Sequence, residues 1–540
     1  MTTWVGFVGF TVLVAVLAWL GTRRHRVNDT AEGYFLAGRS LGPWYIAGSL
    51  LLTNLSTEQL IGLNGDAFQH TIAVTAWETT AALAMVLTAL VFLPRYLRAG
   101  LTTIPEFLAS RFDESTRVIM SALFLLSYSI AILPVVLLFG ATGLESLFDV
   151  SAQLGIDRVQ SLWLLVWGVG TLGSLYAIFG GLRAVAVSDT VNGVGFLFAS
   201  LLIPVLALLA IGEGDLFGGL ATVYHEENAK FDITGNEPGS FLPFGVLFTG
   251  MIVNQVFFWC VNQSILQRAL GAHSLAAGQQ GMLIAAGFKL LGPLVVVLPG
   301  VIAWHMFKDQ LAPSDYLQAY PSLVKAVLPP ALGGLFAAIM VGAVLSTFNS
   351  VLNSAATLFS DGIYRPLFRK QATDRQMVRS GRWCSMVLAL AAMATAPRID
   401  TSGSLYNYLQ QINATFFGPM LAVILAALFT RRASALAAKS ALVVGPVVFY
   451  LVNFVYREPL QQAAQSVFGI TEQIHFLHWL GVVFGFTVLL ILAISAWRPD
   501  RRVPTPAPES PVDMTPWPLV RPVSALIVLL TLACYILLAQ

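Results

Sequence analysis

Residues 49–68 read SLLLTNLSTEQLIGLNGDAF, a stretch in which a polar cluster interrupts an otherwise apolar run. The apolar flanks are typical of a membrane-spanning helix, but Thr53 to Gln59 would then fall near the middle of the bilayer. A continuous lipid-facing helix would leave these groups unsatisfied, because the bilayer core has no water to bond them. A helix that breaks inside a bundle would instead offer backbone carbonyls to a cavity. The stretch therefore predicts a broken transmembrane helix.

The whole chain has the composition of a polytopic membrane protein. Hydrophobic residues make up 56% of its 540 residues and charged residues only 11%, against roughly 25% in soluble domains. The net charge of +2 gives no reason to expect a nucleic-acid partner. We predict about fourteen membrane-spanning helices, the first of them retained rather than cleaved as a signal peptide. The predicted segments are 4–21, 43–64, 70–93, 117–140, 160–179, 185–211, 241–262, 278–306, 331–360, 381–397, 403–429, 437–455, 476–497 and 521–540.

Basic residues are distributed unevenly between the two sets of loops. Most of the 30 Lys and Arg residues fall in alternate loops, the densest of which follows segment nine, and we assign Arg183 and Arg268 to the same set. Lys289 is interpreted as the only basic residue inside a span. The positive-inside rule then places the basic loops in the cytoplasm and both termini outside. The Pro-rich stretch 498–518 is predicted to be a cytoplasmic linker before the last helix.

A second interrupted segment lies five spans after the first. Residues 246–268 read VLFTGMIVNQVFFWCVNQSILQR, with Asn254, Gln255, Trp259, Asn262 and Gln263 in the middle. Two interruptions five spans apart suggest an inverted repeat of five plus five helices, in which substrate and ion sites lie at the breaks. The alternative is that these amides only bond neighbouring helices together.

Segment nine carries a stripe of hydroxyl groups. Ser346, Ser350 and Ser354 recur every four residues and share one helix face. Such hydroxyls can simply bond back to their own helix in a small-residue packing face. They are also suitable ligands for a hard cation such as Na⁺, together with carbonyls from a broken helix.

These segments resemble the solute:sodium symporter family, and in particular its bacterial sodium/galactose (sodium/glucose-type) branch. The resemblance runs from about residue 34 to residue 432. It is carried by YFLAGRSLGPW (34–44), SLLLTNLSTEQLIGLNG (49–65), TAWETTAA (75–82), IFGGLRAVAVSD (178–189), FFWCVNQSILQR (257–268), FKLLGPLVVVLPG (288–300), STFNSVLNSAATLF (346–359) and LFTRR (428–432).

The resemblance implies a transport core of two inverted repeats. The core would span residues 43–432, with repeat one at 43–211 and repeat two at 241–432. An extra helix and a cytoplasmic loop at 1–42 would precede it, and three helices at 433–540 would follow. The first helix of each repeat would be broken. The family also implies a multi-pass protein of the bacterial inner membrane.

The family's sodium site, carried over by position, falls on the first break and on segment nine. The implied Na⁺ ligands are the carbonyls of Leu52, Leu55 and Ala343 and the hydroxyls of Ser346 and Thr347. Some members bind a second Na⁺, for which Asp189 and Ser350 match, although Asn349 departs from the pattern. The alternative for Asp189 is a charge at a helix end near the cytoplasm, paired with Arg183.

The implied substrate site is rich in amides and aromatic rings. Its residues are Asn54, Gln59, Leu63, Trp77, Glu78, Gln255, Phe258, Trp259, Lys289 and Gln410, with Phe258 and Tyr406 as gates. The alternative for Glu78 and Lys289 is pairing that only fixes helix packing. Several positions depart from the galactose branch, among them Gln255 for Asn and Phe258 for Tyr. Asn254 could replace Gln255 only with a one-residue gap. Asp66, just beyond the broken helix, is interpreted as a solvated loop charge, and the alternative is contact with the substrate at the outer mouth.

The function implied is Na⁺-coupled symport of a monosaccharide by alternating access. No Walker motif, zinc spacing, GxSxG elbow or nucleophile–base pair is evident, so we expect neither a pump nor an enzyme. The alternatives are symport of another solute, such as a sialic acid, an inositol or a carboxylate, and a membrane sensor that retains the transporter fold. A fused signalling domain would support the sensor, and the sequence has none.

Overall fold

The computed structural model describes residues 6, 9–14, 16, 30–235, 240–400, 403–499 and 510–538. Most of the predicted first span, 4–21, and residues 500–509 of the predicted linker lie outside the described residues. Nearly all of the described chain is helical, and these ranges contain two isolated β-bridges but no strand. The prediction of an all-α protein is therefore confirmed.

From residue 31 onward, the described chain forms helices that we label α1 to α24 in order. The first are α1 (Ala31–Leu36), α2 (Pro43–Asn54), α3 (Thr57–Gln69), α4 (Ala76–Leu87), α5 (Leu93–Arg98), α6 (Ile104–Arg111), α7 (Glu114–Ser127), α8 (Leu133–Phe148), α9 (Val150–Leu154), α10 (Arg158–Ile211) and α11 (Leu216–Glu226). The rest are α12 (Gly250–Cys260), α13 (Gln263–Leu270), α14 (Leu275–Lys289), α15 (Gly292–Val296), α16 (Leu298–Phe307), α17 (Ala319–Val327), α18 (Pro330–Phe359), α19 (Asp374–Thr395), α20 (Leu405–Phe429), α21 (Ala435–Tyr450), α22 (Arg457–Phe468), α23 (Phe476–Trp497) and α24 (Val520–Leu538).

Both interrupted segments are broken helices, as the sequence predicts. Between α2 and α3 the backbone leaves the helical region at Leu55 (ψ 80°) and is extended at Ser56 (φ −120°, ψ −174°). Between α12 and α13 it leaves that region at Val261 (φ −132°) and is extended at Asn262 (ψ 121°). Hydrogen bonds of the helical ladder are lost at each break, so backbone groups become available for other partners.

The two predicted segments 160–179 and 185–211 form the two halves of α10. They meet at Gly181, whose φ of 65° and ψ of 179° interrupt the helix inside the motif IFGGLR. A residue with a Cβ rarely adopts this conformation, which glycine reaches without strain. The turn at Gly181 therefore lets one long apolar stretch supply two consecutive spans.

Eight described helices are long and apolar enough to cross a membrane without help from a neighbour. A ninth span results if α14 and the helices after it, which bend by 50°, are taken together. The broken helices α2, α3, α12 and α13 are each too short to qualify alone. The count of fourteen and the boundaries of the two repeats stay predictions.

The first broken helix is held between α10, α14 and α18. α2 packs against the second half of α10, where a Cβ on Gly48 would lie 2.9 Å from the Thr190 hydroxyl oxygen. α10 in turn packs along α18, which carries the hydroxyl stripe. This close packing brings the polar residues of the first break to the centre of the described structure.

Candidate functional site

An internal cavity lies between the two broken helices and is closed by α4, α18 and α20. Its volume is about 50 Å³, which is space for a few water molecules. The residues that line it are Thr53, Asn54, Glu58, Gln59, Trp77, Ala81, Ile132, Asn254, Gln255, Phe258, Trp259, Ser264, Ile265, Thr347, Val351, Tyr406, Leu409, Gln410 and Asn413. Both repeats therefore contribute polar and aromatic side chains to one chamber.

Most of the predicted substrate residues are among those lining the cavity. The structure brings together Asn54, Gln59, Trp77, Gln255, Phe258, Trp259 and Gln410, along with the predicted gate residue Tyr406. Leu63 is fully buried on α3 and lies outside the lining. Glu78 and Lys289 are also absent from the residues that line the cavity.

Glu78 and Lys289 form a fully buried ion pair. The Lys289 Nζ donates to both carboxylate oxygens of Glu78, at 2.7 and 2.8 Å, and both side chains have zero exposure. The same ammonium lies 3.4 Å from the Gln59 Oε1, and Gln59 lines the cavity. An ion pair costs little to bury only when its remaining hydrogen-bonding groups are also satisfied. The Lys289 ammonium therefore orients the Gln59 side chain through its Oε1.

Aromatic rings from both repeats form the apolar part of the wall. The rings of Trp77 and Tyr406 meet edge to face with centroids 5.7 Å apart. Those of Phe258 and Trp259 do the same at 5.3 Å. The Gln255 Nε2 donates to the Trp77 carbonyl at 2.8 Å, which ties the second broken helix to α4. Such rings can cover the apolar face of a ring-shaped solute while the amides bond its polar groups.

Five further polar residues line the cavity but were in neither the predicted substrate set nor the predicted Na⁺ set: Thr53, Glu58, Asn254, Ser264 and Asn413. Thr53 and Glu58 belong to the polar cluster that opened the sequence argument. Asn254 lies one turn before Phe258, and Asn413 lies one turn after Gln410, so helical spacing could have indicated both. The amide oxygens of Asn54 and Asn254 are buried without a hydrogen-bond partner among the described residues. Unsatisfied acceptors of this kind favour binding of a ligand with hydroxyl groups.

The predicted Na⁺ ligands gather where α18 crosses the first break. The Thr347 hydroxyl donates to the Thr53 carbonyl at 3.0 Å and approaches the Leu52 carbonyl at 3.5 Å. The Ser346 hydroxyl is buried and interacts with the Asp189 carboxylate. Leu55 and Ala343 are buried in the same region, at the break and one turn before Thr347. The residue types fit Na⁺, because hard cations take neutral hydroxyl and carbonyl oxygens.

Asp189 is buried against a different partner from the one considered in the sequence. The Ser49 hydroxyl donates to its Oδ2 at 2.6 Å, and the Arg268 Nε donates to the same hydroxyl oxygen at 3.0 Å. Arg183 instead bonds the Ser40 hydroxyl, so the proposed pairing with Arg183 is wrong. Ser350, the other candidate for a second ion, bonds the Thr53 hydroxyl at 3.1 Å.

Arg268 corrects the assignment of basic residues to loops. It lies on α13 with zero exposure, so it is a buried residue and Lys289 is not the only buried cation. Its carboxylate neighbour, Asp189, comes from the second half of α10. The acid and the hydroxyl beside Arg268 lower the free-energy cost of burying its guanidinium group.

The predicted exposure of Asp66 is also wrong. The sequence favoured a solvated loop charge, but Asp66 is part of α3 and has zero exposure. It lies beside Ser404 and Tyr316, at the end of α3 remote from the break.

In the neighbouring loop, burial lowers the pKa of Lys230 to about 8. The Lys230 Nζ donates to the Phe68 carbonyl at 2.7 Å and so caps α3.

Comparisons with known proteins agree with the resemblance in the sequence. The model of the sodium:solute symporter family matches residues 34–445. The chain is 42% identical to an uncharacterized symporter, YidK, of Escherichia coli K12, over 99% of this chain and 90% of that one. It is 30% identical to a sodium/glucose cotransporter of Vibrio parahaemolyticus, over 78% and 79%. A solved structure of a Na⁺-coupled sialic acid symporter shares the fold, with a TM-score of 0.77 at 18% identity, over 94% of this chain and 99% of that one.

Proposed function

The chain belongs to the sodium:solute symporter family, and we propose that it couples the uptake of a monosaccharide to Na⁺ by alternating access. The proposal is supported by an overlap between two sites. The cavity proposed for the sugar and the oxygen cluster proposed for Na⁺ share residues. Thr53 and Thr347 line the amide-rich cavity and also belong to the cluster of hydroxyl and carbonyl oxygens at the first break. A solute in the cavity and an ion at the break would therefore contact the same few residues.

The proposed Na⁺ step begins at the break between α2 and α3. Na⁺ would bind the carbonyls of Leu52, Leu55 and Ala343 and the hydroxyls of Ser346 and Thr347. Its binding would tie the broken helix to α18 and so order Asn54, which lies next to the break. Since ordering of the cavity by the ion favours the sugar, the sugar must by reciprocity favour the ion.

The proposed sugar step uses amides and aromatic rings. Asn54, Gln59 and Gln410 would bond the hydroxyl groups, with Gln59 held in place by the ion pair of Glu78 and Lys289. Trp77, Trp259 and Phe258 would cover the apolar face of the sugar ring. Buried amides discriminate strongly between solutes, because a missing hydroxyl leaves them without a partner.

The Na⁺ gradient supplies enough free energy for concentrative uptake. A membrane potential of 100 mV contributes about 2.3 kcal/mol per ion, and a tenfold Na⁺ gradient contributes about 1.4 kcal/mol. The sum, about 3.7 kcal/mol, supports roughly 500-fold accumulation for one ion per sugar. We place the protein in the bacterial inner membrane, with its basic loops in the cytoplasm and both termini outside. The cycle involves no covalent chemistry.

A cyclic polyol such as an inositol is the second candidate substrate. The same amides that would bond a sugar can bond any ring with several hydroxyl groups. A simple carboxylate fits less well, because Lys289 is already occupied by both oxygens of Glu78.

Uptake into proteoliposomes with an imposed Na⁺ gradient tests the proposal, using labelled monosaccharides, inositols and sialic acid in parallel. We expect uptake of one monosaccharide to require the gradient and to collapse when Na⁺ is replaced by K⁺. Uptake of sugar at the same rate without Na⁺, or Na⁺-driven uptake of no sugar at all, would overturn the proposal.

The change Gln410→Ala tests the sugar site. Loss of one buried hydrogen bond costs roughly 0.5–1.5 kcal/mol, so the apparent affinity for sugar should fall about 2- to 10-fold. Apparent affinity is measured from the sugar dependence of uptake at saturating Na⁺. An unaltered value would remove Gln410 from the site. The neighbouring exposed residue Tyr408 offers a control, since Tyr408→Phe should leave the affinity unchanged.

A further inference from the structure

A basic and aromatic groove lies where α18 ends and α19 begins, away from the central cavity. α18 continues as the π-helical turn Ser360–Phe368, and the chain then reverses into α19. The space between the two has a volume of about 490 Å³. It is lined by Phe359, Tyr364, Phe368, Arg369, Gln376, Arg379, Ser380 and Trp383.

The aromatic side of the groove is a row of stacked rings that is open to the surroundings. The ring centroids of Phe359 and Tyr364 are 6.5 Å apart, and those of Tyr364 and Phe368 are 6.2 Å apart, at angles of 30° and 23°. Phe368 is 69% exposed and Trp383, on the facing helix, is 56% exposed. Aromatic residues with this exposure are typical of the boundary between the bilayer and water.

The charged side of the groove carries cations without matching acids. Between residues 363 and 383 the chain has six basic residues and one acid, Asp374. Arg365 is within 3.9 Å of the Asp361 carboxylate. In the described part of the chain, neither Arg369 nor Arg379 is within ion-pair distance of a carboxylate. Both guanidinium groups at the groove are therefore available to an anion from outside the protein.

One face of α19 runs from charge to aromatic ring to aliphatic surface. Arg379, Trp383, Val387 and Leu390 are spaced by four, four and three residues and so share a helix face. Val387 and Leu390 are 59% and 46% exposed, as lipid-facing residues of a spanning helix would be. This order matches that of a phospholipid, whose phosphate lies at the surface and whose acyl chains extend into the bilayer.

We propose that this groove binds an anionic phospholipid, with its phosphate between Arg369 and Arg379 and one acyl chain along Trp383, Val387 and Leu390. Two arginines beside a phosphate give strong charge-assisted hydrogen bonds. Clusters of basic residues next to a spanning helix attract anionic lipids in the same way. The proposal concerns a surface remote from the cavity, so it does not depend on the identity of the transported solute.

Native mass spectrometry of the full chain, released from vesicles of equal phosphatidylglycerol and phosphatidylcholine, tests this site. We expect the protein to retain phosphatidylglycerol in preference. The double change Arg369→Gln with Arg379→Gln should reduce that preference by about 30-fold, from roughly fivefold per cation. The matched control is Arg431→Gln with Arg432→Gln, which removes two exposed charges that the groove does not contain, and it should retain the preference. Trp383→Ala should weaken retention of both lipids equally.

Three outcomes would overturn the assignment. The first is an unchanged preference in the Arg369/Arg379 variant, and the second is an equal loss in the Arg431/Arg432 control. The third is full displacement of the lipid by millimolar glycerol 3-phosphate, which would indicate a site for a soluble phosphate. If the double variant fails to fold, as a shifted melting temperature in detergent would reveal, Arg379→Gln alone should lower the preference about fivefold.

Discussion

The two broken helices occupy equivalent positions in the two repeats but differ in how their polar groups are bonded. At the first break, the Thr347 hydroxyl reaches the Thr53 carbonyl. The side-chain oxygens of Asn54 and Thr57 are buried there without a partner among the described residues. Buried oxygens in this condition are costly unless something binds them.

At the second break, the protein itself supplies partners for the Trp259 and Cys260 carbonyls and for the Asn262 Oδ1, although the Asn262 Nδ2 is buried without one among the described residues. The Thr88 hydroxyl donates to the Trp259 carbonyl at 2.9 Å, and the Tyr96 hydroxyl donates to the Cys260 carbonyl at 3.0 Å. The Tyr128 hydroxyl and the Ser264 backbone N–H both donate to the Asn262 Oδ1, at 2.7 and 3.1 Å. The second break is therefore held by α5 and by the helical turns that directly follow α4 and α7, whereas the first has side-chain oxygens without a partner.

We therefore expect the two breaks, although alike in fold, to differ in role. A break supplies backbone carbonyls, but the neighbouring side chains decide whether those carbonyls are structural or available. We expect substitutions at the first break to change Na⁺ dependence and those at the second to change stability.

The largest expected effect is at the first break, for Ser346→Ala with Thr347→Ala. Each lost oxygen ligand to a charged ion costs roughly 1.5–3 kcal/mol, so Na⁺ affinity should fall about 10²- to 10⁴-fold. The Na⁺ dependence of uptake gives this value. Ser354→Ala is the control on the same stripe, because its hydroxyl bonds Gln267 and not the break. Unchanged Na⁺ affinity in the double variant would refute the assigned ion site.

The second largest expected effect is that of disrupting the buried Glu78–Lys289 ion pair, and it should appear as a loss of stability. Lys289→Gln leaves the Glu78 carboxylate buried without its partner, which costs roughly 3–5 kcal/mol. Denaturation in detergent measures this loss. Glu78→Gln combined with Lys289→Gln should recover part of it, because the two residues interact directly. Additive effects of the two changes would contradict the pairing.

At the second break, Asn262→Ala should lower stability and leave Na⁺ affinity as it is. The Tyr128 hydroxyl and the Ser264 donors would lose their acceptor, which costs roughly 1–3 kcal/mol. Stability and Na⁺ activation of uptake are measured on the same preparation. A fall in Na⁺ affinity as large as that at the first break would mean that the two breaks are not distinct in role.

The smallest expected effect is that of Tyr96→Phe. It removes one donor from the Cys260 carbonyl without changing the shape of the side chain, so the free energy of unfolding should fall by about 1 kcal/mol. Thermal unfolding would register the change, and Phe92→Leu, which keeps every polar contact, is the packing control. No loss at all would imply that another donor satisfies this carbonyl.

The sequence indicated much of this site because its signals are local. A polar cluster inside an apolar run revealed each break, and the hydroxyl stripe revealed the face of α18 that meets the first one. Glu78 and Lys289 were conspicuous for the same reason, since charge at membrane depth is costly. Their pairing needs the fold, because 211 residues separate them. Leu63 stands where the family has a Met in the substrate site, but it does not line the cavity.

The errors concern charges near the ends of helices. Arg268 follows QSILQ, a short amphipathic stretch that sequence alone cannot distinguish from the start of a loop. α13 folds back into the protein and places Arg268 beside Ser49 and Asp189, which come from α2 and α10. Asp66 is buried for a similar reason, since Tyr316 and Ser404 cover the end of α3.

The sequence by itself determined the helical membrane fold, the two breaks and the family, because hydropathy and local polarity are properties of consecutive residues. Only the tertiary structure decided which polar groups are satisfied. Whether a buried polar group has a partner depends on side chains from distant helices, as Thr88 and Tyr96 show at one break and the unpartnered Asn54 side-chain oxygen at the other. The neighbours of each break therefore decide which of its polar groups have partners.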